Sequence, residues 1–325
     1  MALKVESFRL PPVTASMFSV VLGLSGLGQS WRVAEHLWRI GAHIGEGLLV
    51  VATVVWASLL FGYLVHAIHH PERVRDEFEH PVVGGTPALL GIATVLISQA
   101  VSIWSLPWAW GLLIAGIGWH LLFSVWHTGT LWLGGRQLGD TAPTLYLPTV
   151  AGSFTSSAAL GALSQPSWAW LFLGTGVFSW LALEPLIVQR LWGGDSLPIA
   201  QRSLLGIQFA PPVVCASAML VIAPNSPPEW LLMLLGYGLF QTLVGLRLRA
   251  WLKEQPFGYS WWAFSFGVVS STVVCLKLAA RGTPAAVTLS WPVFIGANMF
   301  IAYLCVKTVW QLAGATGGGS RRSAR

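Results

Sequence analysis

Recurring apolar runs of roughly 20 residues, the length that crosses the roughly 30 Å hydrocarbon core of a bilayer, constrain this chain more than any motif does. Ten are read along the 325 residues, at 12–30, 43–67, 82–103, 107–132, 147–164, 168–192, 205–223, 229–251, 261–280 and 287–312. Composition agrees: 9% of residues are charged and 54% hydrophobic, where a soluble domain carries about 25% charged residues. Backbone polar groups in lipid must bond within their own segment or close into a barrel, and runs this long select helices. The expected fold is therefore all-α and integral to the membrane, with one ten-helix domain over 1–313. The Gly-rich basic end, 314–325, is expected to be a disordered tail.

Loop charges orient the chain. With the N-terminus in the cytoplasm, that side holds most of the basic residues, among them Lys4, Arg9, Arg73, Arg75, Arg136, Arg190, Arg202, Arg247, Arg249 and Lys253. The other side holds Arg32, Arg39, Lys277 and Arg281. This positive-inside bias predicts a multi-pass membrane protein with both termini cytoplasmic. It also accounts for the net charge of +6 without a nucleic-acid partner. Cys215, Cys275 and Cys305 fall in apolar segments without a CxxC spacing, so neither disulfide nor zinc is indicated.

The ten runs alternate in character. Odd ones are shorter and rich in small and hydroxyl residues, and four of the five open at proline: Pro11–Pro12, Pro81 and Pro87, Pro148, and Pro211–Pro212. Even ones, such as the run containing Leu181–Glu184–Pro185, are longer and greasier. Five helical hairpins are expected, odd helices around a shared axis and even helices toward lipid. Proline frees backbone polar groups, which a membrane tolerates only where protein or water covers them, so the odd helices are expected to line a cavity.

The stretch Tyr259–Lys277 concentrates that chemistry, pairing Ser265, Ser270, Ser271 and Thr272 with Phe264 and Phe266, rings able to close the space that Gly267 leaves. Phe18 beside Ser19, and Phe154 between Ser153 and Thr155, echo the arrangement. Candidate lining residues are Phe18, Ser19, Ser153, Phe154, Ser156, Phe209, Phe264, Ser265 and Ser270, with Thr14, Thr94 and Ser217 as further weak donors. The middles of the odd runs carry no charged residue, so an anion would meet hydroxyls in place of a tight countercharge. Weak multi-site binding favours conduction, nitrate passing more readily than chloride because it dehydrates more cheaply. Glu184 is expected to play a structural part by pairing with Arg247 or Arg249, and Glu46 is left open as a proton-coupling group. The orientation of Lys277, near the outer end of the ninth run, is also left open. His66, His69 and His70 are read as solvated, with no metal or cofactor expected. The chain has no phosphate loop, nucleophile elbow or HExxH run, which points away from an enzyme.

The runs WAFSFG from Trp262, YLPTVAGSFTS from Tyr146, FAPPVVCASA from Phe209, EPLIVQ from Glu184 and RVRDEFEHPV from Arg73 closely resemble the tellurite-resistance and dicarboxylate-transporter family, which includes the slow-type anion channels of plant guard cells. The resemblance covers nearly the whole chain in order. It implies a homotrimer with one pore per subunit, five inner helices in pseudo-fivefold symmetry, and a pore plugged by the second phenylalanine of the W-A-F-S-F run, which is Phe266. Two readings follow: a gated channel for small inorganic anions such as nitrate and chloride, or a secondary carrier exporting tellurite, sulfite or C4-dicarboxylates.

Overall fold

A computed structural model describes residues 12–41 and 43–317. Among the described residues every regular element is helical. In chain order the α-helices are α1 (Ser19–Trp38), α2 (Ile44–His69), α3 (Pro71–Glu79), α4 (Ala88–Val101), α5 (Leu106–Trp132), α6 (Gly152–Ala162), α7 (Pro166–Gly193), α8 (Ala210–Ile222), α9 (Pro228–Arg247), the single turn α10 (Arg249–Leu252), α11 (Ala263–Ala280) and α12 (Pro284–Gly317). Beyond Gly317 the expected tail lies outside the described residues.

Among the described residues seven segments are long and apolar enough to cross a membrane: α2, α5, α7, α9, Ile199–Ile222, Tyr259–Ala280 and Pro284–Ala313. The other apolar runs give helices that are shorter or more polar, for visible reasons. The α1 helix carries Gln29, Arg32 and Glu35 in its second half, and α4 and α6 are short because their first turns are not α-helical. A chain of turns over 81–87 precedes α4, and a π-helix over Leu147–Ala151 leads into α6. The same irregularity opens the other three hydroxyl-rich segments. A 3₁₀ turn at Ala15–Phe18 leads into α1, a long one at Ile199–Phe209 into α8, and one at Tyr259–Trp262 into α11.

Proline marks these transitions. Pro87 is the N-cap of α4, Pro148 stands inside the π-helix, and Pro211 and Pro212 occupy the first turn of α8, where a missing N–H removes no α-helical bond. Carbonyls at these transitions also accept from side chains of a neighbouring long helix. Trp119 of α5 donates its indole N–H to the Pro87 carbonyl at 2.9 Å, and Ser124 of the same helix donates to the Pro148 carbonyl at 2.5 Å. At these two positions protein, not a cavity, covers the freed backbone.

Packing separates the helices into two sets. Among α1, α4, α6, α8 and α11, α1 packs on α4, α4 on α6, α6 on α8, α8 on α11, and α11 back on α1. This inner set is buried: 78% of the apolar window is covered in both Ile199–Ile222 and Tyr259–Ala280, against 17% in α2 and α7. The outer helices expose large apolar side chains, including Phe61, Val125, Phe178, Phe240 and Met299, as a lipid-facing surface requires. Small residues set the close approach within the inner set. A methyl group on Gly26 of α1 would overlap the Val269 side chain of α11, and one on Gly23 would lie 2.7 Å from the Ser265 hydroxyl.

Candidate functional site

Two cavities lie inside the closed set of inner helices, and every residue lining them comes from one of those five helices or its opening turn. The first, about 50 Å³, is bounded by the N-terminal ends: Ser16, Ser19 and Leu22; Thr86 and Leu89; Leu147 and Ala151; Leu204, Ile207 and Ala210; and Ser260, Trp262 and Ala263. The second, about 100 Å³, is bounded by residues farther along the same helices, including Ser25, Gln29, Gln99, Thr155, Ser217, Ser270 and Lys277. All five helices therefore run in the same direction past the two chambers. Phe266 is the one residue shared by both linings. It is 8% exposed and belongs to the central apolar cluster.

Helical phase explains which α11 residues meet the chambers. Phe266, Ser270, Val273 and Lys277 recur at four, three and four residues, one face of an α-helix. Phe264, two positions before Phe266, is rotated by about 200°. It packs edge-on against Phe209 with ring centroids 5.5 Å apart, and both rings line a different cavity of about 500 Å³ behind the inner set, walled by α9 and α12. Neither ring lines the chambers, contrary to expectation.

The other expected lining residues divide in the same way. Ser19 lines the first chamber and Ser270 the second. Phe18 turns outward, edge-on to Tyr63 of α2 at 6.2 Å, and Phe154 turns outward onto α7, where it fills the space beside Gly176. Ser265 lines neither chamber; its hydroxyl donates at 2.6 Å to the Trp262 carbonyl in the contact with α1. Ser153 and Ser156 are buried off the axis with no hydrogen-bond partner. Thr94 also points outward, accepting the Trp56 indole N–H of α2 at 3.1 Å. Phe266 thus differs from its sequence echoes by its phase.

Arg202 is buried, and it donates to the Trp251 carbonyl at 2.8 Å and to Glu254 at 2.6 Å while lying over the Trp251 ring. It is a tie between the α8 opening and the α10 region. Glu184 does not pair with Arg247 or Arg249. Its carboxylate accepts four neutral donors: Tyr237 Oη at 2.5 Å, Tyr146 Oη at 2.6 Å, Trp180 Nε1 at 2.7 Å and Gln208 Nε2 at 3.0 Å. It thereby joins the openings of α6 and α8 to α7 and α9. Glu46 forms an exposed ion pair with His43 at 3.2 Å. Among the described residues no carboxylate lines either chamber, and the one charged lining residue is Lys277.

Residues 12–309 match the family described as voltage-dependent anion channel. The chain belongs to that family. A tellurite resistance protein TehA homolog of Haemophilus influenzae is 32% identical over 302 residues, 93% of this chain and 91% of that protein. The S-type anion channels SLAH2 and SLAH3 of Arabidopsis thaliana are 24% and 25% identical over 307 and 283 residues, and the matched regions cover only 56% and 42% of those longer proteins. Anion transport across a membrane is thus the function class of this multi-pass chain, and its family is not one of enzymes.

Against that family background, the lining residues passed over in the sequence include Ser16, Ser25, Gln29, Thr86, Gln99 and Thr155, and Lys277, left open there, joins them. Their signal is phase. From the 3₁₀ opening into α8, Ile207, Ala210, Val214, Ser217 and Val221 repeat at three and four residues, as do Leu147, Ala151, Thr155 and Ala158 from the π-helix into α6. Each stripe, projected along its helix, finds the axis-facing set that hydroxyl content alone does not.

Proposed function

We propose that this chain is a gated anion channel that passes small monovalent anions, nitrate and chloride, along the axis of the inner helices, with Phe266 as the gate. The observation that carries the reading is the position of Phe266 as the single side chain common to two otherwise separate chambers. In the proposed arrangement five helical hairpins surround the axis in pseudo-fivefold symmetry, and three subunits assemble with one pore each in the inner membrane, both termini cytoplasmic. An anion would move from the Ser16–Ser19–Thr86 chamber past the displaced ring to the Gln29–Gln99–Ser270 chamber, exchanging part of its hydration for hydroxyl and amide donors. The absence of a lining carboxylate disfavours cations and leaves no acidic proton-coupling group on the path, which favours a channel over a coupled carrier. The alternative, an exporter of tellurite, sulfite or C4-dicarboxylates, draws on the name of the bacterial relative.

Current recordings of the wild type and Phe266→Ala in planar bilayers test the gate. A rise of at least tenfold in nitrate and chloride conductance is expected for the variant. A correctly folded Phe266→Ala protein with wild-type current removes the ring from that role.

A further inference from the structure

Lys277 is the feature of the axis that the gate does not use. It lies on α11 eleven residues beyond Phe266, on the same face, and lines the second chamber with the amides of Gln29 and Gln99 and the hydroxyls of Ser25 and Ser270. Its ammonium forms no ion pair or hydrogen bond with a described residue. Arg32 and Arg281 lie within electrostatic reach, so its charged neighbours are cations. Burying a cation without a countercharge is costly, and Arg202, buried elsewhere in this protein, is compensated by a carboxylate and backbone carbonyls. A second observation points into the same space: Ser25 is 2% exposed, lines the chamber and has no hydrogen-bond partner for its hydroxyl.

We infer that the second chamber is a binding site for a small inorganic oxyanion, held by the Lys277 ammonium and the Ser25, Gln29 and Gln99 donors. The chamber, about 100 Å³, admits a small oxyanion such as nitrate or sulfite. The amides and the hydroxyl are neutral donors that can follow the edges of a trigonal oxyanion, and the ammonium supplies the countercharge. The site deepens the channel reading and rests on it: an anion held here waits on the far side of the Phe266 ring and loads the pore at low external concentration. A single fixed charge raises occupancy without the tight cage that would trap the ion.

Two measurements on the full-length protein separate this inference from the gate. In a Phe266→Ala background, adding Lys277→Gln is expected to raise the half-saturating nitrate concentration about tenfold, and adding Lys277→Arg to leave it within about twofold, because the charge is retained. In the gated protein, replacing gluconate by nitrate at constant ionic strength is expected to raise the melting temperature of the wild type and of Lys277→Arg but not of Lys277→Gln. Lys277→Met, which also removes the charge, takes the place of Lys277→Gln if the latter does not fold. If Phe266→Ala conducts but half-saturation and nitrate stabilisation are the same with and without the Lys277 charge, the oxyanion site is overturned and the channel stands. If Phe266→Ala is silent while nitrate stabilisation still depends on the Lys277 charge, the Phe266 gate fails and the site stands. Silence in both assays overturns both.

Discussion

The Ala15 N–H donates to Glu77 Oε1 at 2.8 Å, tying the first turn of an inner segment to the amphipathic helix α3. Tyr63 of α2 donates to the other oxygen of the same carboxylate at 3.2 Å. A carboxylate at this place satisfies an orphan N–H and complements the positive end of the helix that follows.

Glu77 makes stability depend on pH. Burial holds its carboxyl above the usual carboxylate range, with the Ala15 and Tyr63 hydrogen bonds pulling the other way. Between the ordinary value, which applies to the unfolded chain, and the raised folded value, the folded protein binds more protons than the unfolded one. Stability contributed by this group is therefore fully present below the ordinary value and declines as pH rises through that window. Melting temperatures taken in steps upward from the ordinary carboxylate range should show a decline in the wild type that Glu77→Gln lacks. A parallel pair of pH profiles would refute the assignment.

Phe264 and Phe266 should respond oppositely to truncation. Phe264→Ala removes a ring packed on Phe209 and is expected to cost about 3–5 kcal/mol of stability while leaving anion conductance at the wild-type level. Phe266→Ala is expected to raise conductance. Currents from the two variants in the same bilayer preparation, alongside their melting temperatures, check the contrast; a conducting Phe264→Ala protein contradicts the phase argument.

Glu184 should tolerate loss of the arginines better than loss of its neutral donors. Tyr146→Phe deletes a fully buried hydroxyl hydrogen bond and is expected to lower stability by about 1.5–3 kcal/mol, the range for a bond to a charged acceptor. Arg247→Gln and Arg249→Gln are expected to change it by under about 0.5 kcal/mol, as for surface substitutions away from specific contacts. Thermal unfolding in detergent ranks the three; equal losses would restore the ion-pair reading.

The approach of α1 to α11 leaves no room at Gly26. Gly26→Ala places a methyl inside the Val269 side chain and is expected to destabilise by about 1–3 kcal/mol. Combining it with Val269→Ala should recover most of the loss. A double-mutant cycle with no coupling would show that the two helices accommodate the methyl by another route.

The sequence by itself determined the membrane class, the helical content and the family, because run length, charge depletion and the WAFSFG and YLPTVAGSFTS stretches are properties of the chain alone. It also singled out Phe266, through that resemblance. Only the tertiary structure decided which side of each helix meets the axis. Phe18, Phe154, Phe209 and Phe264 share the composition of a lining residue, yet each sits at a phase that turns it toward an outer helix or groove, while Lys277 and Gln99 share the phase of their helices' chamber-facing residues. Partner choice was equally out of reach: Glu184 is expected to pair with Arg247 or Arg249, but the irregular openings of α6 and α8 bring Tyr146 and Gln208 to it instead. A side chain's neighbours follow from helix rotation and from turns that are not α-helical, and both are fixed by packing between segments far apart in the chain.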